Sequence, residues 1–311
     1  MAQLKELRTR IEAIKSTQKI TSAMKMIAAA RLRKVQILVD KNMAYVDNLR
    51  RSALRVLTAI EQEEKNKKIV YPRPIYLRQV KNPRNYILYV FSSDRGLCGS
   101  YNTTIAKKAI TRINQLLKAG KKIKVVCYGK KAFKTLRHTF AGVDADLKIS
   151  AASYDVKEMS YAELAGKISH TLLNQFENKE FDVCEFIYAN FITALSRIFE
   201  CEQVFPINLN TENLSDTELG RLLLSGSACY EYLPDKMTVL TDILPILFTD
   251  TIFQIIVNAE ASEHSARMSS MDNATRNAKK IISELTLKYN SLRQAAITTE
   301  LIEIIAGAEA I

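Results

Sequence analysis

The sequence predicts an α/β protein with a long antiparallel two-helix coiled coil, built from its N- and C-terminal segments, and an α/β domain between them. Three observations predict this: where glycine and proline fall, an apolar spacing of three and four residues at both ends, and strand–helix alternation in the middle. No Gly or Pro precedes Pro72, and none falls between Pro245 and Gly307. In a helix interior Gly costs about 1 kcal/mol and Pro about 3, so both ends are free to form uninterrupted helices.

Residues 1–71 are read as the first coiled-coil helix. Leu4, Leu7, Ile11, Ile14, Gln18, Thr21, Lys25, Ala28, Leu32, Val35, Val39, Asn42, Val46, Leu49, Ala53, Val56 and Ile60 recur at alternating steps of three and four, the 3.5-residue period of a coiled-coil seam. About 60 such residues make a helix of about 90 Å, which cannot bury its stripe alone. Gln18, Thr21 and Lys25 sit where a tight zipper places Leu or Ile. They read either as a polar break that sets register or as a surface that meets a partner; periodicity alone favours the first. After the charged run Glu61–Lys68, Pro72, Pro74 and Pro83 mark a stiff linker over 72–85.

The central domain is placed at 86–232. Its strands are read at Tyr86–Phe91 and Lys122–Tyr128, then as a pair at Phe181–Ala194 and Arg197–Ile207. Helices are read near Thr103–Ala119, Lys130–Phe140 and Tyr161–Phe176. Such alternation implies a mainly parallel, Rossmann-like sheet with covering helices. Residues 233–311 form the second coiled-coil helix, with Met271, Ala274, Ala278, Ile281, Leu285, Tyr289, Leu292, Ala296, Thr299, Ile302 and Ala306 along its seam. Pro245 is expected to bend or break it near its start. Alanines at 28–30, 274, 278, 295 and 296 would let the two backbones approach closely.

Composition narrows the function. The longest apolar runs, such as Ile243–Phe248, are far below the ~20 residues of a spanning helix. MAQLKELRTR lacks the apolar stretch of a secretory signal, so a mature soluble chain is expected. Cys98, Cys127, Cys184, Cys201 and Cys229 form no CxxC pair, which suits a reducing compartment and buried thiols. The formal charge is +12, and residues 1–35 hold nine bases against Glu6 and Glu12, a net +7. Such a field favours an acidic partner: nucleic acid, anionic lipid or an acidic protein surface.

Candidate chemistry is sparse. The first βα turn, SSDRGLCGSYN at 92–102, could hold phosphate on backbone N–H groups. It lacks both GxxxxGK[ST] and GxGxxG, and Asp94 would repel an anion. A tight turn with Asn102 capping the next helix is the better reading. Glu260 and Glu263-His264 loosely match HxxEH, but Glu260 stands where the first ligand must be His. Glu300 and Glu303 read as solvated helix charges. No catalytic residue, metal site or cofactor site is expected. A nucleotide-binding α/β enzyme and a basic coiled-coil nucleic-acid adaptor remain as alternatives at this point.

Three motifs then converge. IEAIKSTQKITSAMKMIAAARL at 11–32, SSDRGLCGSYN at 92–102, and ASEHSARMSSMDNATRNA with YNSLRQAAITTELIEIIAGAEA, at 261–278 and 289–310, resemble the corresponding segments of F-type ATP synthase γ subunits. The resemblance covers essentially the whole chain in order. It implies a central rotor shaft, itself non-catalytic, that carries torque between a membrane c ring and a catalytic hexamer of α and β subunits. Partners would be the α, β and ε subunits and the c ring, with no nucleic acid, and membrane association only through the complex. It places the chain on the cytoplasmic face of the bacterial inner membrane and implies that Met24, Arg267, Gln294, Thr298 and Glu300 contact the α/β stator. It turns Gln18–Lys25 towards the partner-facing reading and the aliphatic chain end towards a tip turning in an apolar sleeve. Ser100-Tyr101 departs from a frequent Gly-Phe, and Lys25 stands where Gln or Glu is frequent. The missing close cysteine pair speaks against the thiol-regulated chloroplast form.

Overall fold

The computed structural model describes residues 2–68, 70–142, 146–152, 160–209 and 230–309. The chain divides into two compact units. One comprises Met1–Arg31, Leu97–Gly99 and His264–Ile311; the other comprises Leu32–Gly96 and Ser100–Glu263. Two long helices contribute to both: α1, Ala2–Lys67, and α5, Lys236–Glu309.

In the larger unit a five-stranded sheet is ordered β3-β2-β1-β4-β5. Its strands are β1 (Asn85–Phe91), β2 (Lys122–Tyr128), β3 (Leu147–Ala152), β4 (Val183–Phe191) and β5 (Arg197–Phe205). The first four run parallel and β5 returns antiparallel to β4, so the sheet is mainly parallel as the alternation implies. The short β4–β5 connection permits only an antiparallel return. The edge strand β3 has no counterpart in the sequence reading: LKISAA offers two aliphatic residues among small and polar ones, a weak strand signal. Pairing with β2, Ile123 opposite Leu147 and Val125 opposite Ile149, makes it a strand.

Helix α2 (Tyr101–Lys118) and helix α3 (Lys130–Thr139) pack on one face of the sheet, and α4 spans Tyr161–Glu177. Ser160 opens α4 with a reciprocal cap: its hydroxyl accepts from the Glu163 N–H while the Glu163 carboxylate accepts from its own, which satisfies two otherwise orphaned donors. On the other face one core joins the sheet, α4 and the middle portions of α1 and α5. Ile87, Tyr89, Phe91, Phe186 and Tyr188 meet Ala53–Ile60 of α1, Leu164 and Leu172 of α4, and Leu240–Ile256 of α5. Tyr89 stacks on Phe186 at 4.9 Å and Phe91 on Tyr128 at 5.0 Å between ring centroids.

Pro245 does not break α5. Its missing N–H removes one ladder bond, yet Leu240, Leu244, Leu247 and Phe248 around it are buried in this core, so packing holds the helix through the proline. The same stretch corrects the hydropathy reading. Counted by windows and not by unbroken runs, α5 is long and apolar enough to cross a membrane, with an 18-residue window of mean hydropathy 1.6; its buried leucines line the core just described.

The two long helices run antiparallel within each unit. In the larger one, Asn42 donates to the Asp250 carbonyl and Lys236 to Glu63. In the smaller one, the Thr21 and Thr275 hydroxyls lie 2.8 Å apart, and the Lys25 ammonium donates to Asp272 at 2.5 Å. Leu7, Ile11, Ala28, Leu32, Val35, Val39, Val46, Ala53, Val56 and Ile60 of the α1 seam are buried.

Candidate functional site

The five residues proposed to meet a stator all belong to the smaller unit. Met24 is half-buried on α1, and Arg267 is half-buried on α5. Gln294, Thr298 and Glu300 are exposed on α5, with the Thr298 hydroxyl donating back to the Gln294 carbonyl. They do not form a cluster. Asp272, opposite Lys25, lies 22 residues before Gln294, about 33 Å of helix. The arrangement is two strips of surface on paired helices.

The polar step in the α1 seam resolves differently from the partner-facing reading. Thr21 is buried against Thr275, and Lys25 is engaged by Asp272, whose carboxyl is held below its usual range by that lysine. These two side chains look inward to the sister helix. That is the register-setting role of isolated polar residues in a coiled coil. Met24, next to Lys25, is displaced from the seam by about 100° of helical rotation.

The SSDRGLCGSYN turn is closed to phosphate at the start of α3. The first three N–H groups of that helix are taken by the Asp94 carboxylate (from Lys130), the Ser93 carbonyl (from Lys131) and the Ser92 hydroxyl (from Ala132). A carboxylate fills the place an anion would need. Gly129 leads into this helix at φ +99°, where a Cβ would come within 2.0 Å of the Ser92 carbonyl oxygen, so the two turns touch through bare backbone. Asn102 does not cap α2; Ser100 holds the cap position. The Asn102 amide reaches back and accepts from the Ser93 N–H at 3.0 Å. Tyr101 is buried, and its hydroxyl donates to the Ala259 carbonyl at 3.0 Å.

One buried ion pair escaped the sequence reading. Glu185, the third residue of β4, receives a two-pronged contact from Arg112 of α2 and a bond from the Cys201 thiol. Its hydrogen bond to the carboxylate raises the Arg112 pKa, and burial pushes the Cys201 thiol up to about 12. A thiol so raised stays protonated and unreactive at neutral pH. Cys98, Cys127 and Cys184 are buried; Cys229 lies outside the described residues. Among the described residues no group of three or more His, Cys, Asp or Glu is placed to hold a metal.

Comparison with known proteins decides the family. A family model described as ATP synthase matches residues 3–311. The ATP synthase gamma chain of Sinorhizobium fredii is 38% identical over 311 residues, covering 100% of both chains, and that of Jannaschia sp. is 39% identical at the same coverage. The chain belongs to the ATP synthase gamma-chain family. Chains of the Euglena gracilis mitochondrial ATP synthase share the fold. One, from an assembly of OSCP, F1 and c-ring, superposes with TM-score 0.61 at 17% identity over 99% of this chain and 94% of its own. Another, from the rotor, gives 0.60 at 15% identity over 95% and 99%. As a gamma chain, the protein is a subunit of the membrane-bound ATP synthase complex.

Proposed function

We propose that this gamma chain is the central rotor shaft of its ATP synthase, coupling ion flow through a c ring to the nucleotide sites of an α/β hexamer. The observation that carries the reading is the antiparallel pairing of α1 and α5 at Thr21–Thr275 and Lys25–Asp272, in a chain related over its full length to bacterial gamma chains. In this reading the chain is non-catalytic and works at the cytoplasmic face of the inner membrane, with α, β, ε and the c ring as partners. Residues 1–71 and 233–311 serve as the shaft, 72–85 as the linker and 86–232 as the domain that seats it. Only contacts that differ between stator conformations can shift their equilibrium, so an asymmetric helix pair is a suitable driver. Met24, Arg267, Gln294, Thr298 and Glu300 are the proposed stator contacts.

The test uses the whole complex in inverted membrane vesicles. Met24→Lys and Arg267→Ala are expected to leave assembly and ATP hydrolysis largely in place while lowering protons pumped per ATP by about threefold or more. A pumping ratio unchanged in both variants would remove these residues from the contact surface.

A further inference from the structure

From Arg95 to Val143 the sequence carries nine lysines and three arginines without one aspartate or glutamate, so this stretch holds a charge equal to the net +12 of the whole chain. The fold turns much of it outward. Lys107 and Lys118 of α2, with Lys130, Lys131, Lys134 and Arg137 of α3, are exposed, on two helices that pack side by side on the same face of the sheet. Other bases of the stretch are spent inward: Lys108 on the Phe199 carbonyl and Arg112 on Glu185. Among the described residues none of these six bases of α2 and α3 takes part in an ion pair. Like charges so grouped repel one another in the folded state, and an anionic partner would offset that cost.

We propose that the outward face of α2 and α3 docks electrostatically on anionic phospholipid headgroups. Three considerations select lipid over other polyanions. Most of the bases are lysines, compact point charges that suit dispersed phosphates better than the bidentate contacts arginine makes. The patch offers no exposed aromatic ring for base stacking: Tyr101 and Phe140 are buried, Phe133 is half-buried and the chain has no Trp, which removes the platform single-stranded nucleic acid requires. The third rests on the rotor reading. A fluid headgroup layer attracts a turning cation patch without favouring any angle, whereas a seated protein or nucleic acid would hold one. Such contact adds to the expected attachment through the complex alone.

The experiment floats the purified full chain with vesicles of phosphatidylcholine alone or containing roughly one-third phosphatidylglycerol, at low and high salt. Binding is expected on the anionic vesicles only, and is expected to weaken with salt. Lys130→Gln/Lys131→Gln/Lys134→Gln/Arg137→Gln is expected to weaken it about tenfold or more. An equal charge loss in α1, Lys5→Gln/Arg8→Gln/Lys15→Gln/Lys19→Gln, is expected to change it less than about threefold. Lys130→Arg/Lys131→Arg/Lys134→Arg keeps the charge and is expected to keep the binding, which separates charge loss from misfolding. Equal binding to neutral vesicles, an equal loss in the α1 variant, or displacement from vesicles by duplex DNA at matched phosphate would each overturn the proposal. Because the chain is tested alone, failure here leaves the coupling experiment on Met24 and Arg267 standing, and the reverse also holds.

Discussion

Lys25 shows how one contact can reverse the meaning of a residue. Its position beside Met24 in a stretch that resembles a stator-facing surface suggests outward charge, yet its ammonium reaches Asp272 across the helix pair at 2.5 Å. Both side chains keep partial solvent access, 45% and 31%, so water screens the pair and salt weakens it. Lys25→Asp would set two carboxylates against each other. It is expected to lower the thermal midpoint of unfolding, and Lys25→Asp/Asp272→Lys to restore it, most visibly at low salt. Calorimetry of the three proteins checks this; a double variant no more stable than the single one would count against direct pairing. The buried Glu185 offers no such hint in the sequence. It stands between Cys184 and Phe186 in an apolar strand, and its partner Arg112 is 73 residues away.

At the scale of elements, the end of α1, the linker and the start of α5 are fastened at one carboxylate. Glu63 accepts from Lys236 at 2.7 Å, from Lys67 at 2.6 Å and from the Tyr71 hydroxyl at 3.3 Å. The hydrogen bond from Lys236, followed by that from Lys67, lowers its pKa from 4.5 to about 2. A carboxyl depressed on folding adds stability above its unfolded pKa and loses it as pH falls through the folded value. The fastening is therefore complete at neutral pH and is lost between about pH 4.5 and about pH 2. Glu63→Gln is expected to flatten stability across that window, measured by denaturant midpoints at successive pH values; an unchanged slope would show that other carboxylates govern acid unfolding. Beside it, Glu64 accepts from the Tyr71 N–H and from Arg73, so the stiff proline linker is also tied at its first residues.

Across the whole molecule, burial is uneven along α5. Its portion in the larger unit lines the core with Leu240, Leu244, Leu247, Phe248 and Ile252. In the smaller unit the seam thins: Met271 and Ala278 are buried, Leu285, Tyr289 and Leu292 half-buried, and Ile281 and Ile302 exposed at 41% and 60%. Local opening costs less where fewer apolar contacts are lost. In the isolated chain, amide hydrogen exchange is expected to be fastest from 281 to 302 and slowest in β1, β4 and 240–256. Assembly into the complex is expected to slow the 281–302 segment by about tenfold or more. Uniform protection along α5 in the free chain would show that this end needs no partner to hold it.

What the sequence by itself determined is what depends on near neighbours. The uninterrupted course of α1, and of α5 between Pro245 and Gly307, follows from missing Gly and Pro, the inner face from three-and-four spacing, and the parallel sheet from alternation of strand and helix. Tertiary structure alone decided the rest. LKISAA became a strand because β2 offered it a ladder; α5 crossed Pro245 because leucines on either side had a core to fill; Asn102 turned back to Ser93 where a cap was expected. Thr21 and Lys25 faced inward because Thr275 and Asp272, some 250 residues along the chain, arrived opposite them. Periodicity records which residues share a face of a helix, and only the partner that comes to lie against that face settles what their polar atoms bind.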